Sequence, residues 1–368
     1  MLLRRVRLLR RPLGLGPSPR PLMELSSVVS ALDRLAPPSL AASWDNVGLL
    51  VEPSAPHVVR TLLLTNDLTE EVMEEALGLP AQFILAYHPP LFRPLRRVTM
   101  ATWKERLIVR ALENRVAIYS PHTAFDALPD GVNDWLARGL GDCSTIPLTT
   151  STSDSFPTPA SRRLDVTVPA SFDSASLLAR FRAMDGISVV TATVSSGVRL
   201  SLSCSEKALV EAVRMLREFE ELYRTLEIVE LQKPPLPDTG MGRFCTLREA
   251  SSIRTLVERV KDHLGLPHLR LALGAGSTLD SMVTTAAVCA GSGASVVRDV
   301  KADLYLTGEM SHHEVLDAVA AGTTVILCEH SNSERGFLTE LRDLLALRLS
   351  GLVAVCRSTA DRDPLAVI

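Results

Sequence analysis

The sequence is poor in aromatic residues, which occupy 4 % of its 368 positions. Proteins that bind single-stranded nucleic acid stack bases on aromatic side chains, and this composition supplies few of them. An excess of one charge is also lacking, because 39 Lys+Arg stand against 42 Asp+Glu, a formal net charge of −3. Nucleic-acid-binding domains are typically basic. We therefore expect no direct binding of nucleic acid.

Long hydrophobic runs are absent too. No uninterrupted apolar run reaches the ~18–20 residues that a helix needs to cross a bilayer, so we expect no membrane partner. Hydrophobic residues make up 46 % and charged residues 22 % of the chain, which excludes disorder on grounds of composition. A chain of this length and composition is typical of two or three globular domains.

Cysteine is scarce and scattered. The six cysteines form no CxxC motif, and three of them end apolar runs, at Cys289, Cys328 and Cys356. A free cysteine in such a position packs as a small core residue. Neither a disulfide framework nor a zinc ribbon is supported, and a reducing compartment such as the cytoplasm fits best.

Acidic residues are missing from the first 22 positions, which contain six arginines. An Arg-rich, acid-free leader with apolar residues between the charges is typical of mitochondrial transit peptides. The alternative is a basic, disordered tail without a targeting role. Both interpretations stay open, and we exclude residues 1–22 from the predicted fold.

Strand-like and helix-like patterns alternate over the rest of the chain, which predicts an α/β fold with mixed sheets. Residues 24–143 form a first part of the core, with strands predicted at 58–65, 83–88 and 116–120 and helices at 69–77 and 102–115. Residues 239–368 show the same alternation and form a second part. We expect the two parts to be halves of one core.

A smaller domain is predicted between these halves. Ser, Thr and Pro dominate residues 144–161, and a second proline-rich link covers 233–238. Between them, residues 163–232 read as strand, helix, two strands, helix and strand. That βαββαβ order is the split, ferredoxin-like arrangement.

Polar residues with metal-binding chemistry follow three of the predicted strands. In an open α/β sheet, ligands bind beyond the carboxyl ends of the strands. His88 follows one strand directly after Tyr87, His122 and Asp126 follow a second, and the segment from Glu329 through His330 to Glu334 follows a third; all are read from the sequence.

Histidine and carboxylate side chains together are the donor set of zinc, iron and manganese. His330 and Glu334 share one face if a helix begins soon after Cys328, because residues four apart are neighbours on a helix. Asp126 has two carboxylate oxygens and is able to bridge two ions.

Each of these residues also has a purely structural interpretation. His88 would then only end a strand, and Asp126 would only begin a turn or a helix. Ser331 and Glu334 match the [ST]-x-x-E pattern of a capping box, in which the glutamate caps a helix instead of binding metal.

Other segments give weaker signals. The glycine-rich run at 289–295 follows a predicted strand, so that its amides are candidates for an anion cradle or for a tight turn. His312 and His313 lie at a predicted helix start, either near the site or facing solvent. Cys328 lies near His330 but belongs to no nucleophile motif.

Eight motifs in a fixed order resemble the Nif-three-like family, also labelled GTP cyclohydrolase type 2. They are WDNVGLLVE (44–52), TNDLTEEVMEEA (65–76), YHPPLF (87–92), HTAFD (122–126), TGMGR (239–243), AVCAGSGAS (287–295), YLTGEMSHHE (305–314) and EHSNSERGF (329–337). The resemblance covers nearly the whole chain from about residue 24.

The resemblance implies a two-half α/β core with a dinuclear metal centre, an inserted ferredoxin-like domain, and assembly as a homo-oligomer, at least a dimer. The implied metal ligands are His88, Asp126, His330 and Glu334. The family has a histidine where this chain has Tyr87, and a phenol with a pKa of about 10 is a poor ligand. One or two ions per chain are therefore expected.

Two functions follow from the resemblance. The first is a metal-dependent hydrolase of a nucleotide-like or phosphate-bearing small molecule, with His122 or Glu309 as acid/base. The second is a protein-interaction factor, a transcriptional corepressor or regulator acting through protein partners, in which the metal site is structural or vestigial. The second function extends the expected location from the cytoplasm to the nucleus.

Overall fold

The computed structural model describes residues 22–152, 162–231 and 234–367. The leader predicted at 1–22 lies outside the described residues, except for Leu22. The strands are β1 (Met23–Glu24), β2 (Gly48–Val51), β3 (Val58–Val59), β4 (Thr61–Thr65), β5 (Phe83–Ala86), β6 (Ala117–Ser120), β7 (Cys143–Ile146), β8 (Thr149–Thr152), β9 (Arg162–Pro169), β10 (Ile187–Val194), β11 (Gly197–Cys204), β12 (Glu227–Glu230), β13 (Pro235–Met241), β14 (Arg243–Ser252), β15 (Arg270–Ala272), β16 (Met282–Cys289), β17 (Leu304–Thr307), β18 (Thr324–Leu327) and β19 (Ala354–Arg357).

The helices are short to medium in length. They are α1 (Leu25–Leu35), α2 (Glu70–Gly78), α3 (Trp103–Glu113), α4 (Thr123–Asp126), α5 (Val132–Arg138), α6 (Ser174–Arg182), α7 (Glu206–Leu216), α8 (Glu220–Tyr223), α9 (Ile253–Leu264), α10 (Ala294–Val297), α11 (His312–Ala320), α12 (Asn332–Arg335) and α13 (Phe337–Arg348). Within the described ranges, none is both long enough and apolar enough to span a bilayer.

Two compact units make up the chain. The first contains residues up to Thr149 and from Asp238 onward, and the second contains Thr150–Pro237. The first unit holds a five-stranded sheet in the order β19-β4-β5-β6-β2 and a six-stranded sheet in the order β15-β18-β17-β16-β14-β7. In the five-stranded sheet all neighbours are parallel except β2, which is antiparallel to β6. In the six-stranded sheet β16, β17 and β18 are parallel, and β15, β14 and β7 pair antiparallel with their neighbours. The predicted α/β class with mixed sheets is confirmed.

The central strands of the five-stranded sheet, β4, β5 and β6, are buried on both faces. Leu62 and Leu64 of β4 belong to a large core that includes Leu304 and Leu306 of the six-stranded sheet. Leu63 points to the opposite face, into a second core covered by α2 and α3. Because successive side chains of a strand alternate between faces, such strands are apolar throughout, as the sequence of β4 shows.

The two sheets do not follow the predicted division into halves. β19 lies near the end of the chain but pairs with β4 of the first half, while β7 pairs with β14 of the second. Part of the segment expected to be a Ser/Thr-rich linker, 144–161, is therefore strand. β7 is an edge strand with alternating exposure, so it needs little apolar sequence.

The second unit contains β9, α6, β10, β11, α7, α8 and β12. Its sheet has the order β10-β11-β9-β12, with antiparallel pairing throughout. One face packs Leu164, Val166 and Leu200 against Phe181 and Leu216 of the helices. This is the βαββαβ order of ferredoxin-like domains. The unit boundaries at 150 and 237 are wider than the predicted 163–232.

Candidate metal centre

The ends of parallel strands from both sheets of the first unit meet at one place. His88 follows β5 by two residues, and Asn66 and Asp67 follow β4 directly. Gly291 follows β16, and His330 follows β18 in the six-stranded sheet. Side chains beyond the carboxyl ends of parallel strands converge, and here they form one cluster.

His88, His330 and Glu334 are brought together as predicted. The Nε2 atom of His88 lies 3.2 Å from one oxygen of Glu334, and that of His330 lies 3.5 Å from the other. One ligand atom from each of the three residues lies within 4.8 Å of those from the other two. Nitrogen and oxygen ligands at this spacing are able to share one ion.

Three histidine rings at this site are held by carboxylates. Their Nδ1 atoms contact carboxylate oxygens as follows: His88 with Asp67 at 2.9 Å, His330 with Glu309 at 2.9 Å, and His122 with Asp45 at 2.7 Å. In carboxylate–histidine–metal sites such a contact holds a proton on Nδ1, so that Nε2 is the atom that coordinates once the ring is neutral.

Glu334 is buried, with 5 % of its side chain exposed, and it points into the cluster. Asn66 Nδ2 donates a hydrogen bond to its Oε2 atom at 3.1 Å. Burial raises the pKa of Glu334, but the charges of His88 and His330 outweigh it and hold the pKa below 4.5. The capping-box interpretation is wrong, because the N-cap of α12, Ser331, makes no side-chain capping hydrogen bond.

Asp126 lies beside this cluster but is held by Tyr87. The Tyr87 hydroxyl donates a short hydrogen bond to Oδ1 of Asp126. Burial raises the pKa of Asp126 to about 6; the bond from Tyr87 opposes this, and repulsion from Glu334 adds to it. The pKa of Tyr87 is also raised by burial and by the charge of Asp126, so the phenol stays protonated.

The backbone around Asp126 is fixed by residues to which the sequence analysis assigned no role. The carbonyls of residues 126, 127 and 128 accept hydrogen bonds from Asn133 at 2.9 Å, from the amide of Gly240 at 2.8 Å and from Arg243 at 2.6 Å. Arg243 is 1 % exposed and also pairs with Asp134 at 2.7 Å. The TGMGR motif thus anchors the Asp126 turn.

Two observations show that the cluster fits a metal ion. The Nε2 atom of His88 is buried, and despite its closeness to Glu334 it makes no hydrogen bond within the described residues. A Cβ atom added to Gly291 would lie 2.5 Å from Glu334 Oε1 and 3.1 Å from His330 Nε2. The backbone therefore approaches the ligand atoms as closely as glycine allows.

His122 lies next to the three clustered residues. Its ring centroid is 5.4 Å from that of His88, and its backbone has a φ of 35°. A non-glycine residue with positive φ is uncommon and is found at functional sites. With Nδ1 held by Asp45, the Nε2 atom of His122 is the one left for chemistry.

The weaker sequence candidates do not join the cluster. The amides of Gly291 and Gly293 are taken by Ser333 and Thr307, so the glycine-rich run is a tight turn instead of an anion cradle. His312 and His313 are exposed at the start of α11. Burial raises the pKa of the Cys328 thiol to about 12, which excludes a thiolate nucleophile there.

A family profile described as Duf34/NIF3 (NGG1p interacting factor 3) matches residues 23–364. The chain belongs to this family. It is 53 % identical to NIF3-like protein 1 of Rattus norvegicus over 98 % of this chain and 96 % of that protein. It is also 31 % identical to the NGG1-interacting factor 3 of Saccharomyces cerevisiae, over 94 % of this chain and 97 % of the yeast protein. The resemblance stated from the eight motifs is confirmed.

Solved structures of bacterial proteins share this fold. A Bacillus cereus protein related to NIF3 aligns with a TM-score of 0.66 at 24 % identity, covering 94 % of this chain and 99 % of the other. The Staphylococcus aureus protein SA1388 aligns with a TM-score of 0.68 at 22 % identity, over 94 % and 99 %. The α/β architecture is therefore shared with these two bacterial proteins.

The sequence analysis did not identify several residues that position the candidate metal-binding side chains. Asp67 follows β4 and was open to the same strand-end argument that identified His88. Asp45 and Asn66 carry no comparable signal, because their roles depend on which distant histidine or glutamate they meet. Gly291 was noted only as part of a candidate anion cradle.

Proposed function

We propose that this protein binds one divalent ion at His88, His330 and Glu334 and hydrolyses a small, phosphate-bearing, nucleotide-like molecule. The proposal rests on one observation above all: each histidine of the cluster has its Nδ1 held by a carboxylate, so that Nε2 is aimed at Glu334. The Nε2 atoms of His88 and His330 therefore face the two oxygens of Glu334, at 3.2 and 3.5 Å, as the donors of a metal site do.

Zinc, iron and manganese are the proposed metals, because imidazole and carboxylate ligands suit all three. When bound, such an ion lowers the pKa of a water molecule and polarises a phosphoryl oxygen. His88, His330 and Glu334 would hold it. Glu309, in contact with His330 Nδ1, is assigned to orienting that ring instead of to acid/base chemistry.

His122 is assigned as the acid/base. Hydrolysis forms a bond from a water oxygen to phosphorus and breaks the bond from phosphorus to the leaving oxygen. The Nε2 atom of His122 takes the proton that the water loses and gives a proton to the leaving oxygen. Asp45, held at 2.7 Å from Nδ1, stabilises the imidazolium formed between these two transfers.

Tyr87 and Asp126 support a site for one tight ion. Asp126 would bridge to a second ion, but its Oδ1 atom accepts the phenol hydrogen bond. The phenol itself keeps its proton and supplies no anionic ligand. The second ion is thus weak or absent.

A substrate panel tests the hydrolase proposal. Protein purified without added metal is analysed for its elements and assayed against phosphate monoesters and nucleotides. We expect turnover of at least one compound, and its loss in His330→Ala. His312→Ala is the matched control, since His312 is an exposed histidine outside the cluster. Equal turnover in wild type and His330→Ala contradicts the proposal.

A second candidate function is protein interaction in transcriptional regulation. The observation that favours it is the name of the yeast relative, which is described as interacting with NGG1. In that case the metal cluster is structural or vestigial. Loss of partner binding in His330→Ala, without loss of any turnover, would favour this function over hydrolysis.

Assembly and location are proposed on the family resemblance. We propose a homo-oligomer, at least a dimer; sedimentation that shows only monomer at micromolar concentration contradicts it. We propose the cytoplasm and nucleus, with the mitochondrion as the alternative if residues 1–22 act as a leader. A reporter fused to residues 1–22 distinguishes the two, because only a transit peptide sends it to mitochondria.

A further inference from the structure

A cavity of about 450 Å³ opens beside the metal cluster, lined by Asp67, His88, Pro89, Phe92, Lys104, His122, Glu309, Glu329, His330, Ser331, Asp363, Pro364 and Leu365. Among these residues, Lys104 is the single Lys or Arg. It is the second residue of α3, where the positive end of the helix dipole also favours an anion.

Lys104 has no ionic partner in the described part of the chain, while the carboxylates around it are engaged. Asp67 and Glu309 contact histidines, and Glu329 pairs with Arg270 at 2.8 Å. The ammonium group of Lys104 lies 5.4 Å from the ring centroid of Trp103. A half-buried lysine without a carboxylate partner, at the wall of a cavity, is available to an external anion.

The segment that leads to Lys104 is basic as well. Residues 92–104 contain Arg93, Arg96 and Arg97 but no Asp or Glu. All three arginines are exposed, and none is in an ion pair within the described residues. The two ends of this segment, Phe92 and Lys104, line the cavity, and its exposed arginines add positive charge between them, which attracts anions.

One exposed aromatic ring lines the cavity, and a second packs against it. Phe92 lines the cavity and is 41 % exposed, and Trp44 is 63 % exposed. Their ring centroids are 6.0 Å apart in an edge-to-face contact, and the Trp44 ring is 6.0 Å from that of His122. The rings thus run from the rim to the acid/base residue, with part of their apolar surface open to solvent.

We propose that Lys104 binds the phosphate of the substrate and that Phe92 and Trp44 stack against a planar ring carried by the same molecule. The inference rests on the proposed function and assigns the residues that recognise the phosphate and the aromatic ring of its nucleotide-like substrate. Charge alone would select any small phosphate, whereas the two aromatic residues select for the ring.

Binding of three compounds that cannot lose phosphate tests the assignment. They are the methylene phosphonate analogue of AMP, the matching ribose phosphonate without the base, and adenosine. In metal-loaded, full-length protein, we expect Lys104→Met to weaken both phosphonates about tenfold and to leave adenosine unchanged. Phe92→Leu and Trp44→Leu should each weaken the AMP analogue and adenosine about fivefold and leave the ribose phosphonate unchanged.

Matched controls are Lys301→Met, another lysine without an ion pair in the described residues, and Tyr223→Leu, an aromatic residue that is 42 % exposed in the second unit. Neither should change any affinity. The assignment is overturned if wild type binds no phosphonate, or if Lys104→Met and Phe92→Leu bind all three compounds as wild type does. Because no bond is cleaved, this outcome is separate from failure of the hydrolase proposal, which would appear as tight binding without turnover.

Discussion

The hydroxyl of Tyr87 donates a hydrogen bond to the half-buried carboxylate of Asp126, at the edge of the cluster formed by His88, His330 and Glu334. Tyr87 is fully buried and Asp126 is half-buried. The contact ties up one of the two oxygens with which Asp126 would bridge two ions. It makes the site asymmetric, with a complete set of ligands on one side and a phenol on the other.

Replacing Tyr87 by histidine should restore a second ligand. We expect Tyr87→His to raise the bound metal from about one ion per chain toward two, because imidazole is a metal donor at neutral pH and the change also frees Asp126. Metal content after gel filtration, measured by elemental analysis, reports the change.

The control for this substitution is Tyr87→Phe, which frees Asp126 without adding a donor. It should leave about one ion per chain. Two tightly bound ions in the wild type, or an unchanged single ion in Tyr87→His, would show that Tyr87 does not limit the stoichiometry.

The ionised carboxylate of Asp126 should lower the free energy of unfolding of the metal-free protein. A carboxyl pKa raised from 3.8 to about 6 means that the ionised form is disfavoured in the folded chain by about 3 kcal/mol. A raised carboxyl pKa gives a stability that falls as the pH rises from about 4 through 6. We therefore expect the free energy of unfolding of metal-free Asp126→Asn to exceed that of wild type by about 1–3 kcal/mol at pH 7.5. At pH 4 the difference in this free energy should be small.

Urea unfolding in the presence of a chelator, at both pH values, measures this difference. Asp134→Asn is a useful comparison, because Asp134 pairs with the buried Arg243 and its loss should destabilise the protein. An Asp126→Asn variant that is less stable than wild type at pH 7.5 would contradict the assignment of unfavourable charge to Asp126.

Metal binding should release protons near neutral pH. Burial lowers the pKa of His88, but attraction to Glu334 and the contact with Asp67 outweigh it and place the pKa well above 6.5. An ion requires the neutral ring, so it must displace that proton, and the affinity rises as the pH rises. Calorimetric titration with zinc at pH 7, in two buffers of different ionisation enthalpy, should show about one proton released per ion. Buffer-independent heats would show that His88 is already neutral.

Gly291 should be required for metal binding. An added methyl group would meet Glu334 Oε1 at 2.5 Å and His330 Nε2 at 3.1 Å, and the φ of +63° adds strain. We expect Gly291→Ala to weaken metal affinity by about tenfold or more, because the displaced ligand atoms of Glu334 and His330 no longer lie where coordination of the ion requires them. Gly276→Ala is the matched control: its φ is +79°, but no atom lies within 4 Å of the added methyl group. Equal losses in both variants would show that backbone strain, and not the contact with the ligands, causes the effect.

Much of the fold was open to prediction because apolar runs and amphipathic segments carry it. β4, β5 and β6 are short, continuous apolar segments, and α2 and α3 start at threonine caps whose side chains accept backbone hydrogen bonds. The exchange of β7 and β19 between the sheets was not open to prediction. Edge strands have weak hydrophobic patterns, and the strands with which β7 and β19 pair lie far away in the chain.

The residues of the candidate site also divide into some that the sequence predicts and others that it does not. His88 and His330 were found because strand ends are where an α/β sheet places its ligands. Glu334 remained ambiguous, since the same four residues spell a capping box, and only the orientation of α12 decides between them. Asp45 and Asn66 depend on contacts across 77 and 268 positions of sequence, which no local pattern reports.

The central claim is that His88, His330 and Glu334 hold a divalent ion, and the metal content of Glu334→Gln tests it most directly. This change keeps the shape of the side chain and removes the charge that both histidines face. Elemental analysis at micromolar protein should find about one zinc, iron or manganese ion per wild-type chain, and less than a tenth of that in Glu334→Gln, with Glu314→Gln, in the capping box of α11, unchanged. The same metal content in wild type and Glu334→Gln would contradict the account.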